Sequence, residues 1–251
     1  MAEQDREFVV GSVWPTNRTG TLGDNEMDRR LPPAIKLIHV TMDFQEGTQE
    51  EFTRSIPGYE AKAAGLMEQK PDLIRVLGAP PFMILGFDGE SRVIRGWEEK
   101  YGVPMFTSGQ NHVRAMRALG IKRLLGGTYL PDNLNDIFAS YLREAGFDVI
   151  AMEGMDAPFH EVPNIPATDI AEHLKQSFRG HPGAEALYLL GSAWKILDVL
   201  EDVENSIGVP VIYPLTARCW ETQLRLGFHQ PIPGYGRLLS EMPDLGPVVS
   251  G

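Results

Sequence analysis

"GVPVIYPLTARCWETQLRLG", residues 208–227, decides the fold, because "GVPMFTSGQNHVRAMRALG", residues 102–120, has already run through the same events. Each stretch opens on Gly-Val-Pro, enters a short apolar run, takes on helical periodicity and closes on glycine. The Gly-to-Gly distances are 18 and 19 positions. Upstream of each lies a strand-like run that ends in a turn of small residues. Leu73–Leu77 leads into Gly78-Ala79-Pro80-Pro81, and Ala186–Leu190 leads into Gly191-Ser192-Ala193. From turn to Gly-Val-Pro the distances are 24 and 17 positions, so the first copy carries extra loop. This is the pattern of a duplicated strand–turn–helix–strand–helix unit. Neither strand ends in a nucleophile.

Working outward, the rest of the chain alternates in the same way. Strand-like runs are expected at 8–14, 35–42, 73–78, 103–107, 123–128, 147–152, 186–191 and 209–213. Helical patterns fall between most of them, at 48–69, 91–101, 109–119, 132–145, 167–179, 194–206 and 216–226. In "DNLNDIFASYLREAGF" (132–147), Leu134, Ile137, Phe138, Tyr141 and Leu142 share one helical face. Pro131-Asp132 makes a helix entrance and Gly146 an exit. Strands alternating with helices imply parallel sheets covered by helices on both faces. The looser segments are 15–34, 86–92 and 153–166. The expected division is a first domain of 1–117 completed by 215–251, and a second of 118–214.

Composition narrows the function. Of 251 residues, 43% are hydrophobic and 23% charged, which suits a globular protein. A net charge of −11 argues against nucleic acid or an anionic membrane as partner. No apolar stretch approaches the roughly 18 residues of a membrane span. The polar, acidic start, Met1 to Glu7, does not resemble a signal peptide, so a cytoplasmic location is expected. The single cysteine, Cys219, excludes an intrachain disulfide and a cysteine-rich metal site. The six histidines form no HxH or HxxxH pair, so no metal is expected.

In open parallel sheets, ligands bind beyond the carboxyl ends of the strands. Two such domains face to face would set the Gly78 and Gly191 turns on opposite sides of one cleft. Backbone N–H groups at the two turns, each at a helix N-terminus, would suit carboxylates. Chemistry at a carbon next to a carboxylate fits that geometry.

Several motifs carry a family resemblance along residues 8–241: "WPTN" (14–17), "GY" (58–59), "VLGAPP" (76–81), "GTYLPDNLND" (127–136), the long run 187–227 and "PGYGRLLSE" (233–241). In their order and spacing the chain resembles the aspartate/glutamate racemase superfamily, in the branch of arylmalonate decarboxylases and maleate cis–trans isomerases. The resemblance implies an α/β fold of two similar Rossmann-like domains with parallel sheets, related by a pseudo-twofold axis, with the active site in the interdomain cleft. It implies no metal and no organic cofactor.

The resemblance also places residues. Family members carry a cysteine at the end of one or both key strands. The matching positions here are Gly78 and Gly191, so the usual thiolate is absent, and Cys219 falls within a helix. Tyr59 and Tyr129 match tyrosines that bind the substrate carboxylate. Thr16 and Asn17 match a carboxylate-gripping Ser-Ser-Asn. Ala79 and Pro80 replace hydroxyl residues, Ser192 adds a hydroxyl, and Trp14 with Pro80 makes the pocket more apolar. His160, in a loop after a strand, is a candidate proton donor in place of the thiol, since imidazole titrates near neutrality. Each has a plainer alternative: packing for Tyr59, a helix cap for Ser192, a turn for Asn17, a surface loop for His160.

The expected activity is a cofactor-independent lyase of the decarboxylase kind acting on a small organic acid. Catalysis would fall to His160, Tyr129 and Ser192. Substrate binding would fall to Trp14, Thr16, Asn17, Tyr59, Gly78, Ala79, Pro80 and Gly191. A carboxylate isomerase or racemase, a hydrolytic or C–C-cleaving enzyme using Ser192 and His160, and a non-catalytic carboxylate-binding protein are the alternatives. The partner is a small carboxylate, with room for a homo-oligomer.

Overall fold

The computed structural model describes residues 6–17, 20–21, 26–130, 132–155, 157–158 and 160–246; the side chains of 16, 17, 20, 21 and 132 lie outside that description. The expected duplication is present as two sheets. In the first, β1 (Phe8–Asn17) lies between β3 (Ile35–Asp43) and β4 (Leu73–Val76), and β5 (Met105–Thr107) follows β4, all parallel. The two-residue β2 (Gly20–Thr21) folds back antiparallel on the end of β1. In the second, β6 (Arg123–Thr128) lies between β7 (Asp148–Gly154) and β8 (Ala186–Leu190), with β9 (Val211–Ile212) beyond, again all parallel. Leaving β2 aside, the spatial order is second–first–third–fourth in both halves. The order therefore reverses between β1 and β4 and between β6 and β8, where open α/β sheets bind their ligands. Every residue of β4 and β8 is buried, as inner strands of a doubly covered sheet must be.

Helices α1 (Gln49–Leu66), α2 (Pro80–Met83), α3 (Phe87–Tyr101), α4 (Ser108–Ala118), α5 (Asp132–Glu144), α6 (Ala167–Gly180), α7 (Leu200–Ile207), α8 (Pro214–Arg225) and α9 (Arg237–Glu241) cover the sheets. Thr48 and Thr107 cap α1 and α4, their hydroxyls accepting the N–H of Glu51 and Gln110 at 3.2 Å. None of the described helices is long and apolar enough to cross a membrane.

Three departures from the sequence reading have local causes. The helix expected from 194 begins at Leu200, because Trp194 and Ile196 are drawn fully into the core and the Trp194 carbonyl accepts the Tyr213 hydroxyl at 2.6 Å. The helix expected from 91 begins at Phe87, whose N–H is capped at 2.8 Å by Glu144 from α5. The short elements β2, α2 and α9 were not foreseen, being too brief to show a period.

After the second sheet the chain returns to the first half, and buried charge fixes the return. Glu221 on α8 receives Asn111 Nδ2 at 2.8 Å and pairs with Arg114 and Arg225 at 2.7 Å. Beside it, Arg75 from β4 holds Asp28 at 2.9 Å and Ser12 at 2.9 Å, and Arg218 pairs with Asp28 at 3.3 Å. Burial would raise the Asp28 carboxyl, but Arg75 and Arg218 outweigh it and hold it below its ordinary value.

Candidate active site

The two glycine turns face each other across a cleft. Gly78 follows β4 and Gly191 follows β8, both at the carboxyl end of the third parallel strand of their half. Both need glycine twice over. Their φ angles are +97° and +103°, left-handed values that a β-carbon disfavours. A β-carbon would also lie 2.7 Å from the Tyr59 hydroxyl at Gly78, and 2.1 Å from the Tyr129 hydroxyl at Gly191. At each turn a phenol oxygen thus lies too close to leave room for a side chain.

The two phenols are not equivalent. Tyr59, fully buried in α1, donates to the Leu77 carbonyl at 2.8 Å and does not line the cleft. Tyr129, at the end of β6, lines the cleft, and its oxygen accepts the Ala193 N–H at 3.2 Å. Burial pushes the Tyr129 phenol up to about 12, with the Ala193 N–H pulling the other way, so at neutral pH it is a proton-bearing donor.

At the first turn, the Gly78 N–H donates to Ser108 Oγ at 3.1 Å. With that lone pair engaged, the Ser108 hydroxyl, at the first position of α4 and on the cleft wall, can turn its proton toward a ligand. One turn on, His112 also lines the cleft with only 1% of its surface exposed. Its Nδ1 lies 3.0 Å from the Tyr188 hydroxyl, while Nε2 has no protein partner. Burial pushes this imidazole down to about 3, so it is neutral.

The remaining wall is apolar: Pro15, Phe44, Phe52, Pro80, Pro81, Leu130 and Pro214, around an empty volume of about 550 Å³ that includes its open mouth. A site of this kind, with a few polar groups on an apolar surface, fits a small organic acid.

Of the residues singled out from the sequence, Gly78, Ala79, Pro80, Tyr129, Gly191 and Ser192 come together at the cleft. Three do not. His160 sits on a turn with 74% of its side chain exposed, 3.7 Å from Glu161, in the segment that follows the edge strand β7. Trp14 is buried on the opposite face of β1 from Pro15, with the Arg218 guanidinium 4.5 Å over its ring. Tyr59 lies behind its turn. The side chains of Thr16 and Asn17 lie outside the described residues. Nor does a helix N-terminus meet the second turn, since 191–196 forms bends and no helix. Cys219 is buried in α8, its thiol pushed up to about 12 by burial. Ser108 and His112 were missed. The signal was present in "FTSGQNH", where a helix starts at the carboxyl end of a sheet strand.

Known proteins agree with this architecture. An arylmalonate decarboxylase of Bordetella bronchiseptica is 24% identical over 218 residues, covering 84% of this chain and 89% of its own. The solved structure of a double mutant of arylmalonate decarboxylase in liganded form superposes with a TM-score of 0.84 at 21% identity, covering 93% of this chain and 99% of that one. A mutant of the Nocardia farcinica maleate cis-trans isomerase, solved with a covalently bound succinylcysteine intermediate, gives a TM-score of 0.82 at 21% identity, over 93% and 98% of the two chains. The sequence pattern of arylmalonate decarboxylase matches residues 27–239, most of this chain, which therefore belongs to the arylmalonate decarboxylase family.

Proposed function

We propose that the cleft binds a small organic acid with two carboxyl groups on one carbon and, without a cofactor, releases one as carbon dioxide. The observation that carries this reading is the pair of opposed glycine turns, with hydroxyl donors at the turns and an apolar wall between them. On this reading the cleft separates a first domain of 1–117 with 215–251 from a second of 118–214.

The leaving carboxylate sits against the proline and phenylalanine wall, where it loses hydration that the neutral product does not need. The C–C bond breaks with its electron pair passing into the retained carboxylate, giving an enediolate. Ser108 and Ser192 hold the retained carboxylate and strengthen their hydrogen bonds as its charge grows. Thr16 and Asn17, at the end of β1, are the further candidates for that grip. The α-carbon then takes the Tyr129 hydroxyl proton, the phenolate is held by the Ala193 N–H, and water returns the proton. Tyr129 on this account does from β6 what a thiol at position 191 would do.

The test is carbon dioxide release from phenylmalonate and alkylmalonates in deuterium oxide, with the product examined for one deuterium at its α-carbon. Release with single incorporation supports the reading. A folded protein that releases none from any malonate removes it, and conversion of maleate to fumarate would assign the cleft to isomerisation instead.

A further inference from the structure

We infer that His112 serves the cleft as a neutral imidazole that donates its Nε2–H to a carboxylate oxygen of the bound acid, with Tyr188 as the residue that fixes this tautomer. The inference rests on reading the cleft as an acid-binding site and assigns a donor there that the proposed reaction does not require.

The argument is one of hydrogen-bond accounting. Tyr188 is fully buried in β8, and burial raises its phenol, so it keeps its proton. The partner found for that hydroxyl is His112 Nδ1, at 3.0 Å. If Nδ1 carried the ring proton and donated, the phenol proton would be left buried without an acceptor, a cost that native structures rarely carry. The phenol therefore donates, Nδ1 accepts, and the single proton of the neutral ring sits on Nε2. Nε2 is then a buried donor with no protein acceptor, on a ring that lines the cleft. A carboxylate oxygen in the cleft would satisfy it.

The surroundings keep the ring neutral. Glu221 favours protonation of the ring, and burial outweighs it. Glu221 is itself engaged by Asn111, Arg114 and Arg225. A neutral donor adds no charge to the ground state and strengthens as the oxygen it faces becomes more anionic, which is the behaviour an enediolate rewards.

Nitrogen-15 spectra of the full chain labelled at histidine test this directly. His112 should show a protonated Nε2 and a bare Nδ1 at neutral pH, and Tyr188→Phe should yield a mixture of tautomers. Adding phenylacetate, malonate or maleate should move the Nε2–H resonance well beyond that of Nδ1. His112→Phe should weaken binding of those acids by about 10- to 100-fold, and His112→Gln, whose amide can place a donor near the same point, should recover most of it. An unprotonated Nε2, an Nε2–H indifferent to all three acids, or a folded His112→Phe that binds as the parent does would each overturn the inference. If His112→Phe fails to fold, the spectra of the parent chain decide alone. A parent protein that binds with the expected Nε2–H shift but decarboxylates nothing sinks the proposed reaction and leaves this donor standing.

Discussion

The two glycine turns hold matching places in the two halves and stand in different surroundings. At Gly78 the phenol behind the turn, Tyr59, is sealed in the core with its proton given to Leu77. At Gly191 the phenol, Tyr129, reaches the cleft, and its oxygen accepts the Ala193 N–H. The same group is a buried strut in one half and lines the cleft in the other. On the proposed reaction the Ala193 N–H would stabilise a phenolate at Tyr129, whereas Tyr59 lies away from the cleft.

The largest effect should come from breaking that contrast at the phenols. Tyr129→Phe is expected to lower kcat by about 100-fold or more, with little change in Tm, because it removes the proposed acid and keeps the ring. Tyr59→Phe should do the opposite: a stability loss of about 0.5–1.5 kcal/mol, with kcat per folded molecule within a few-fold of the parent. Paired kinetics and thermal melts on both variants decide it, and similar kcat values in the two would end the distinction. Next come the glycines. Gly191→Ala should displace Tyr129 and lose both activity and stability. Gly78→Ala, pressing on Tyr59, should lose stability by about 1–3 kcal/mol with the smaller fall in kcat.

The seam between the halves offers a pH test. Glu90 on α3 accepts the hydroxyl of Tyr141 on α5, with Gly109 against both side chains. Burial raises the Glu90 carboxyl from 4.5 to about 7. The folded state thus holds this proton more tightly than the unfolded chain. Its contribution to stability is full below about pH 4.5 and is lost as pH rises through 7. Glu90→Gln should flatten that slope and gain up to about 3 kcal/mol on the parent between pH 5 and pH 8, as read from urea midpoints. An unchanged slope would show the seam indifferent to the charge.

The smallest effect concerns the thiol. Cys219→Ala should keep kcat within about 2-fold, and alkylating reagents should leave the folded protein active, because the sulfur is buried away from both turns. Loss of turnover on either treatment would return thiol chemistry to the cleft.

Local signals made the architecture legible. Gly-Val-Pro openings, apolar inner strands and glycine helix exits lie within windows of about 20 residues, and each has its own physical cause. The cleft was legible as far as backbone turns define it, at Gly78 and Gly191. The sequence could not say which way a phenol or an imidazole faces. Tyr59 and Tyr129 are matched by one family resemblance, yet α1 buries the first and the end of β6 presents the second. His160 looked apt because a loop follows its strand, but β7 lies at the sheet edge. His112 drew no reading beyond the absence of a metal-ligating histidine pair, and only the folded chain brings Tyr188 of β8 within 3.0 Å of its Nδ1. Those facts are tertiary.

Among the described residues, the polar reach of this cleft is all oxygen and nitrogen; none of the side chains lining it contains sulfur. A site that works through a thiolate is also a site that peroxide can silence, by oxidation to sulfenic and then sulfinic acid. A phenol at 129 facing glycine at 191 has no such ladder to climb. If the proposed reaction runs here, an oxidising episode that would stall a thiolate site would leave this cleft working, and a site without a thiol gains endurance as much as it forgoes a nucleophile.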